Sequence, residues 1–476
     1  MKRDHRGVLA VALDVGSTSI KAARLTADGR LAGLRAVPSP QLTRTGRRCV
    51  GDALAYYHAG ELLLREVAAD LPAGTPLGLT AQRSTFLLWD RSSGRPVTPL
   101  ISWQDRRAEE WCERHAGARG EIGRRCGLVL SPHYIGPKLA VLQEEDAALR
   151  PSLRHGAILF GTLETYLAWR WSDGRVHATD ASMAARSSLL DLQAEGWSPA
   201  LLELFGMPPE ALPAIQPTCG RNEPLAVGLT LTASVADQAA GALALLGGAP
   251  RHAVVNAGTG AFVLRSAGSP DERLPGYLTG PLRGLPTGFD RFVHEGTING
   301  PGAARLRRAA RPTEMPEADP APDAFCLPDA AGVGSPHWRA DVGFTLSRGA
   351  CGLDPEKRRR VILEGVLFRS REILDQLFAG DAPSRLILAG GLSRAPACAT
   401  GLAALLGREV ETVTEPEQTL LGAARLAAGI DPQDTPATTP HAAGREGAYL
   451  VEKYGRWRAW MEDVLGARDR VPAARL

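Results

Sequence analysis

Residues 8–25 read VLAVALDVGSTSIKAARL. Six apolar residues, Val8 to Leu13, end at one carboxylate, Asp14; Val15, Gly16 and the hydroxyls Ser17, Thr18 and Ser19 follow, and a second apolar run begins at Ile20. A short apolar run bounded by turn residues predicts a buried strand, and small residues between two such runs predict a hairpin. The oddity is the charge at the mouth of the turn, because a buried carboxylate is costly unless it is hydrogen-bonded or holds a cation.

Working outward, Ala27-Asp28-Gly29 marks the next turn of a meander, residues 59–70 have helical spacing, 76–82 reads as a strand entering a loop and is followed by the apolar run 86–90, and 138–148 and 161–171 look helical. The second half opens with the same grammar: HAVVNAGTGAFVLRSAG (252–268) is an apolar strand, a Gly-Thr-Gly turn and a second strand. Two explanations stand side by side. Either two related domains each offer a Gly/Ser/Thr hairpin to a shared cleft, or a common strand–turn–strand pattern has occurred twice by chance. Residues 311–330 are rich in Pro, Ala and acid and predict an exposed loop. A long helix is expected over 357–379, strand, Gly-Gly turn and helix over 384–407, a short strand over 409–414, a helix over 419–429, a loop over 431–443 and a last helix over 445–466.

The chain has 476 residues, enough for two large domains or three small ones at ~100–200 residues each. Its 44% hydrophobic and 22% charged content is that of a globular protein, and a net charge of +3 points to neither nucleic acid nor a membrane as partner. The run Lys357–Arg360 reads as a solvated helix face. Seven scattered cysteines without a CxxC pair fit reduced thiols, not a disulfide frame or zinc site. The apolar run before Asp14 is too short for a signal sequence, and 239–249 is too short and Gly-rich to span a bilayer, so a cytoplasmic location is expected. The ten histidines show no HExxH spacing, and no GxxxxGK[ST] loop occurs.

Five stretches stand out together: LDVGSTSIK (13–21), TAQRSTFLLWD with ISWQDRR (80–107), SVADQAAGA (234–242), NAGTGAF (256–262), and LAGGLS with EQTLLGAARLA (388–393 and 417–427). In this order and spacing they resemble the FGGY carbohydrate kinases of the actin-like superfamily, and most closely their glycerol-kinase branch, from about residue 8 to about 460. The resemblance implies an α/β fold of two actin-like (ribonuclease H-like) domains, 1–245 and 246–440, with an ATP cleft between them and a C-terminal helix (441–476) packing back across both. It implies ATP and Mg²⁺ as cofactors and a small polyol or sugar as acceptor; the oligomeric state is left open.

Phosphoryl transfer needs positioned phosphates, a divalent cation and an oriented hydroxyl. Backbone N–H groups in a turn of Gly and small hydroxyl residues can form an anion nest, to which Ser17, Thr18 and Thr259 add hydroxyls and Lys21 a mobile positive charge; taken alone, GSTS and GTG are equally simple hairpin turns. Asp14 either caps its own turn or holds hydrated Mg²⁺, which accepts one or two carboxylates; the resemblance favours the metal, with Asp237 also facing it. Asp237 enters an Ala-rich helix, where it is a plain N-cap or, as the family's matching motif implies, the general base that takes the proton of the attacking hydroxyl. Gln238 matches a substrate-contacting neighbour. Gly258 belongs to the phosphate turn, Gly390 and Gly391 match the family's adenosine motif, and Gly302 matches a further nucleotide-contact glycine.

In the acceptor site the chain departs from the family. Arg83 and Trp103 match glycerol contacts, but the family's Gln-Arg-Glu-Thr is Gln82-Arg83-Ser84-Thr85 here, and its Tyr falls on His133, or on Tyr134 with a one-residue slip. Losing a carboxylate that pairs hydroxyls opens room at Ser84 and lowers discrimination for glycerol. Two alternatives remain: a ketose kinase of the same family, though no Gln-Met-His-Gly-type stretch stands near Gln82, or a non-catalytic sugar- or ATP-binding regulator on the same fold, though no room for a helix-turn-helix precedes Val8.

Overall fold

The computed structural model describes residues 7–247, 251–257, 261–300, 315–430 and 436–466. The opening stretch folds as its pattern predicts. β1 (Val8–Val15) turns into β2 (Ser19–Thr26), which turns into β3 (Leu31–Pro38), all antiparallel, with Asp14 opposite Lys21. Helix α1 (Ala53–Ala68) follows, its N-terminus capped by Asp52, whose carboxylate accepts from Leu54 N. Then come β4 (Thr75–Ala81), α2 (Ile135–Glu145), β5 (Cys219–Pro224), β6 (Leu229–Ala236) and α3 (Asp237–Leu246). The sheet order is β5-β6-β4-β1-β2-β3, with β4 parallel to both β1 and β6. Between β4 and β5 the chain builds most of a side layer: a five-stranded sheet of Thr43–Thr45, Arg48–Gly51, Leu100–Ile101, Phe86–Asp90 and Ile158–Thr162, with its own core around Phe86, Trp111, Ile135 and Phe205.

The second half repeats the plan with β7 (His252–Ala257), β8 (Ala261–Ala267), β9 (Leu278–Leu285), β10 (Gly288–Ile298), α4 (Pro355–Leu377), β11 (Arg385–Ala389), α5 (Pro396–Leu406), β12 (Val410–Val413), α6 (Gln418–Ala427), β13 (Thr438–His441) and α7 (Leu450–Gly466). Its sheet runs β9-β10-β8-β7-β11-β12-β13. In both sheets the first strand pairs antiparallel with the second and parallel with a later strand, β1 with β4 and β7 with β11. Topology therefore supports two related units over chance likeness. Among the described residues no helix is long and apolar enough to cross a membrane.

Helix α6 joins the halves. It comes late in the chain yet packs on the first sheet and on α3. Leu13 meets Gly60 of α1, whereas Gly78, paired with Ala12 on the opposite face, lies against Ala423 of α6. A Cβ on Gly78 would meet the Ala423 carbonyl oxygen at 2.2 Å, and one on Gly422 would meet that of Ala240 in α3 at 2.0 Å. Only the bare backbone of glycine permits so close an approach.

Three expectations need correction. Within 311–330, residues from 315 on are only partly an exposed loop: Glu317, Pro320, Pro322 and Asp323 are exposed, but Met315, Ala324 and Cys326 are buried in the second core, where the apolar residues between the prolines dock. Thr438–His441, expected in a loop, adds an antiparallel edge strand to β12. Helix α7 lies on the second half alone in its described contacts: Trp457 Nε1 donates to Cys326 O, and the fully buried Lys453 pairs with Glu364 and Asp319.

Candidate active site

Three parallel strands of the first sheet stop level. Val15 pairs with Ala81, and Ala81 with Ala236, so the ends of β1 and β6 stand about 10 Å apart, two strand spacings. Asp14 lies one residue before the first end, and Asp237 one residue after the last. In open α/β sheets this carboxyl edge is where ligands bind.

Asp14 Oδ1 is buried and, among the described residues, has no hydrogen-bond partner. Burial, then the Asp237 charge, push its carboxyl up to about 8; Lys21 opposes this and Glu417 adds to it. An orphaned, charge-repelled carboxylate oxygen is the environment a cation would relieve. Asp237 is the first residue of α3, and its Oδ1 accepts from Gln238 N at 2.7 Å. Burial raises its pKa, while Arg83, whose Nε lies 4.0 Å from Oδ1, lowers it. A side chain 32% exposed leaves this carboxylate reachable from the cleft. Gln238 Oε1 is buried without a partner among the described residues.

Arg83 sits in a charge network that reading the sequence missed. Its guanidinium grips Glu295 of β10 through two hydrogen bonds, at 2.9 and 3.3 Å, and Arg186 donates to the same carboxylate at 2.6 Å. Glu295 is 2% exposed. Two arginines hold its pKa down against burial, the largest influence on it. The signal was present in the chain: one Glu inside the strand-like run FVHEGTI (292–298). Ser84 adopts φ +59° and is buried, and its hydroxyl donates to Arg186 O at 3.1 Å. That hydroxyl is therefore committed to the backbone.

Trp103 and His133 face each other with ring centroids 5.2 Å apart. Tyr134, the alternative match, turns inward; burial pushes its phenol up to about 12, in the field of Arg186, Glu295 and Arg83. The space enclosed by Arg83, Arg186, Gln238 and Glu295 is about 10 Å³, room for one water and no sugar.

On the phosphate side, Ser17 and Thr18 are exposed in a turn pinned by Ser39, which donates to Thr18 O and Gly16 O. Lys21 Nζ donates to Glu417, just ahead of α6, at 2.6 Å. Gly390 has φ +83° and lies against Asn256 and Ala257, where any Cβ would collide with Asn256 Oδ1 at 2.5 Å; Gly391 has open space around it. Gly258, Thr259 and Gly302 lie outside the described residues. Of the expected residues, Asp14, Lys21, Arg83, Asp237 and Gln238 come together around the carboxyl edge, and Trp103 and His133 form a separate aromatic pair.

Comparison with known proteins agrees with this geometry. Residues 9–225 match the N-terminal domain, and 253–429 the C-terminal domain, of the FGGY family of carbohydrate kinases. A glycerol kinase of Xanthobacter autotrophicus is 30% identical over 443 residues, covering 88% of this chain and 89% of that protein. One from Bordetella parapertussis is 34% identical over 386 residues, 76% and 75% of the two chains. The crystal structure of Plasmodium falciparum glycerol kinase with ADP superposes with a TM-score of 0.81 at 20% identity, over 96% of this chain and 99% of that one.

Proposed function

The chain belongs to the FGGY family of carbohydrate kinases, phosphotransferases with an alcohol group as acceptor, and on that premise we propose how its residues divide the work. We assign 1–245 to the acceptor and phosphate domain, 246–440 to the nucleotide domain and 441–476 to the tail helix. The acceptor is a small polyol, with glycerol the first candidate because relatives such as those of Xanthobacter autotrophicus and Bordetella parapertussis are glycerol kinases.

One observation supports the reading: Asp14 and Asp237 stand at level strand ends, and the Asp237 charge makes ionisation of Asp14 costlier. Asp237 takes the proton of the attacking hydroxyl. Its raised pKa makes it a better acceptor, while Arg83 draws it back towards the ionised form. Asp14 holds the cation. Among the described residues no three His, Cys, Asp or Glu side chains gather as a metal cage, which suits an ion held by one carboxylate, water and phosphate oxygens. Mg²⁺, when bound, neutralises charge that builds on the phosphates. Ser17, Thr18 and Lys21 bind the phosphates together with Gly258 and Thr259, and Gly390 and Gly391, with Gly302, give the nucleotide close access to the backbone.

The acceptor lies in front of Arg83, against the Trp103–His133 pair, since the space behind Arg83 is too small. Ser84 shapes this pocket and Gln238 offers its unpartnered oxygen to an acceptor hydroxyl. We place the protein in the cytoplasm, which supplies ATP and keeps thiols such as the exposed Cys351 reduced. A coupled ADP-release screen over glycerol, erythritol, pentitols, ketopentoses and dihydroxyacetone tests the reading. Turnover on a polyol is expected; no ADP release across the panel would refute it.

A further inference from the structure

Lys138 of α2 is fully buried. An ammonium in such a place is expensive and normally meets a carboxylate. Here the nearest acid, Asp105, is taken: Arg107 grips it with two side-chain bonds and one from its backbone, and Cys49 N adds a fourth. Among the described residues Lys138 Nζ donates instead to three carbonyls, Ser102 O at 3.0 Å, His133 O at 3.1 Å and Trp103 O at 3.4 Å. Three donors meet three acceptors. The carbonyls belong to two separate loops, and those loops carry the two rings, which meet at a tilt of 54° with centroids 5.2 Å apart.

We propose that Lys138 is a positioning residue for the acceptor: its ammonium ties the Trp103 loop to the His133 loop and so sets how tightly acceptor hydroxyls are held. This rests on Trp103 and His133 lining the acceptor pocket. The clamp acts on acceptor binding alone, because its contacts lie in the side layer and touch neither Asp14 nor Lys21.

The clamp also titrates. Burial lowers the Lys138 pKa to about 7, with Asp105 raising it, Arg107 lowering it, and Cys49 and Cys112 raising it slightly; His133 faces it from the head of α2. These groups come from the strand at Cys49, the turn at 105–107, the helix at Cys112 and α2 itself. A neutral amine donates two bonds, not three, so the clamp loosens as pH rises through that value. Stability moves the other way. The unfolded chain keeps this proton up to the ordinary lysine value and the folded chain does not, so Lys138 by itself makes the fold more stable as pH rises from about 7 to about 10.

The test uses the full-length enzyme, saturating Mg·ATP and glycerol as acceptor. Lys138→Met is expected to raise the glycerol KM about tenfold or more at about pH 6.5, with the KM for ATP within about twofold. In the parent enzyme the glycerol KM should climb between about pH 6 and about pH 9, and in Lys138→Met it should be flat. Equal rises in both KM values, or none, overturn the proposal. If the variant does not fold, the parent profile decides: a flat glycerol KM overturns it. Trp103→Ala separates the two layers of the argument. If it raises the glycerol KM while Lys138→Met does not, the clamp alone falls. If neither does, the acceptor-site reading falls and the clamp with it.

Discussion

Lys21 on β2 and Glu417 ahead of α6 are bonded at 2.6 Å, although nearly the whole chain separates them. The pair stands near Asp14, whose pKa responds to both partners. Its side chains are 28% and 17% exposed, so as an ion pair it is worth little stability, about 1 kcal/mol or less. Under the proposed function its use is to keep an ammonium where a phosphoryl group passes.

Lys21→Ala should therefore separate stability from catalysis. Urea unfolding should shift by no more than about 1 kcal/mol, while kcat falls about a hundredfold or more through lost charge stabilisation. A kcat within a fewfold of the parent would remove Lys21 from the phosphate site.

Glu295 makes the opposite case, a deeply buried carboxylate between Arg83 and Arg186. Glu295→Gln leaves two buried guanidinium groups without their counter-charge. A loss of about 3–5 kcal/mol in unfolding free energy is expected. Adding Arg186→Met should recover part of it, which a double-mutant comparison would read directly.

Asp14 predicts a pH dependence of known sign. Its folded value of about 8 lies above the ordinary 3.8, so between those limits the folded protein holds a proton the unfolded chain has released. Stability of the nucleotide-free protein must then fall as pH rises from about 4 to about 8. Asp14→Asn removes this contribution. At about pH 8 it should raise the unfolding free energy by on the order of 1–3 kcal/mol relative to its effect at acid pH, and it should abolish turnover. Thermal melts across that range check the sign.

Much of this was legible from the chain. The hairpin at 8–25 announced its strand, turn and stranded carboxylate through an apolar run that stops at Asp14. The repeat at 252–268 announced the second sheet in the same way. What could not be read was pairing across long range. Nothing near Arg83 names Glu295 as its partner, and nothing near Lys138 shows that its charge ends among carbonyls. The missing carboxylate at Ser84 suggested open space, yet the fold turns that residue into the left-handed region and spends its hydroxyl on Arg186 O. Residues 315–330 misled for a similar reason: proline and acid suggested solvent, whereas tertiary packing buries the small apolar residues between them.

The seating of α6 gives a packing test. Gly422→Ala places a Cβ about on top of the Ala240 carbonyl, an overpacking expected to cost about 1–3 kcal/mol. Because α3 starts with Asp237, kcat should fall as well, by more than the loss of folded protein explains. A melting temperature and a specific activity that both match the parent would show that the two helices have room to part.

The most direct measurement is on Asp237→Asn. The amide keeps the shape of the carboxylate but cannot take a proton from the acceptor hydroxyl, so kcat should drop by about a hundredfold to ten-thousandfold, while ATP binding measured by calorimetry stays within a fewfold of the parent. An Asp237→Asn enzyme that turns over at near the parental rate would contradict the assignment of this carboxylate as the base and, with it, the cleft between Asp14 and Asp237 as the place of phosphoryl transfer.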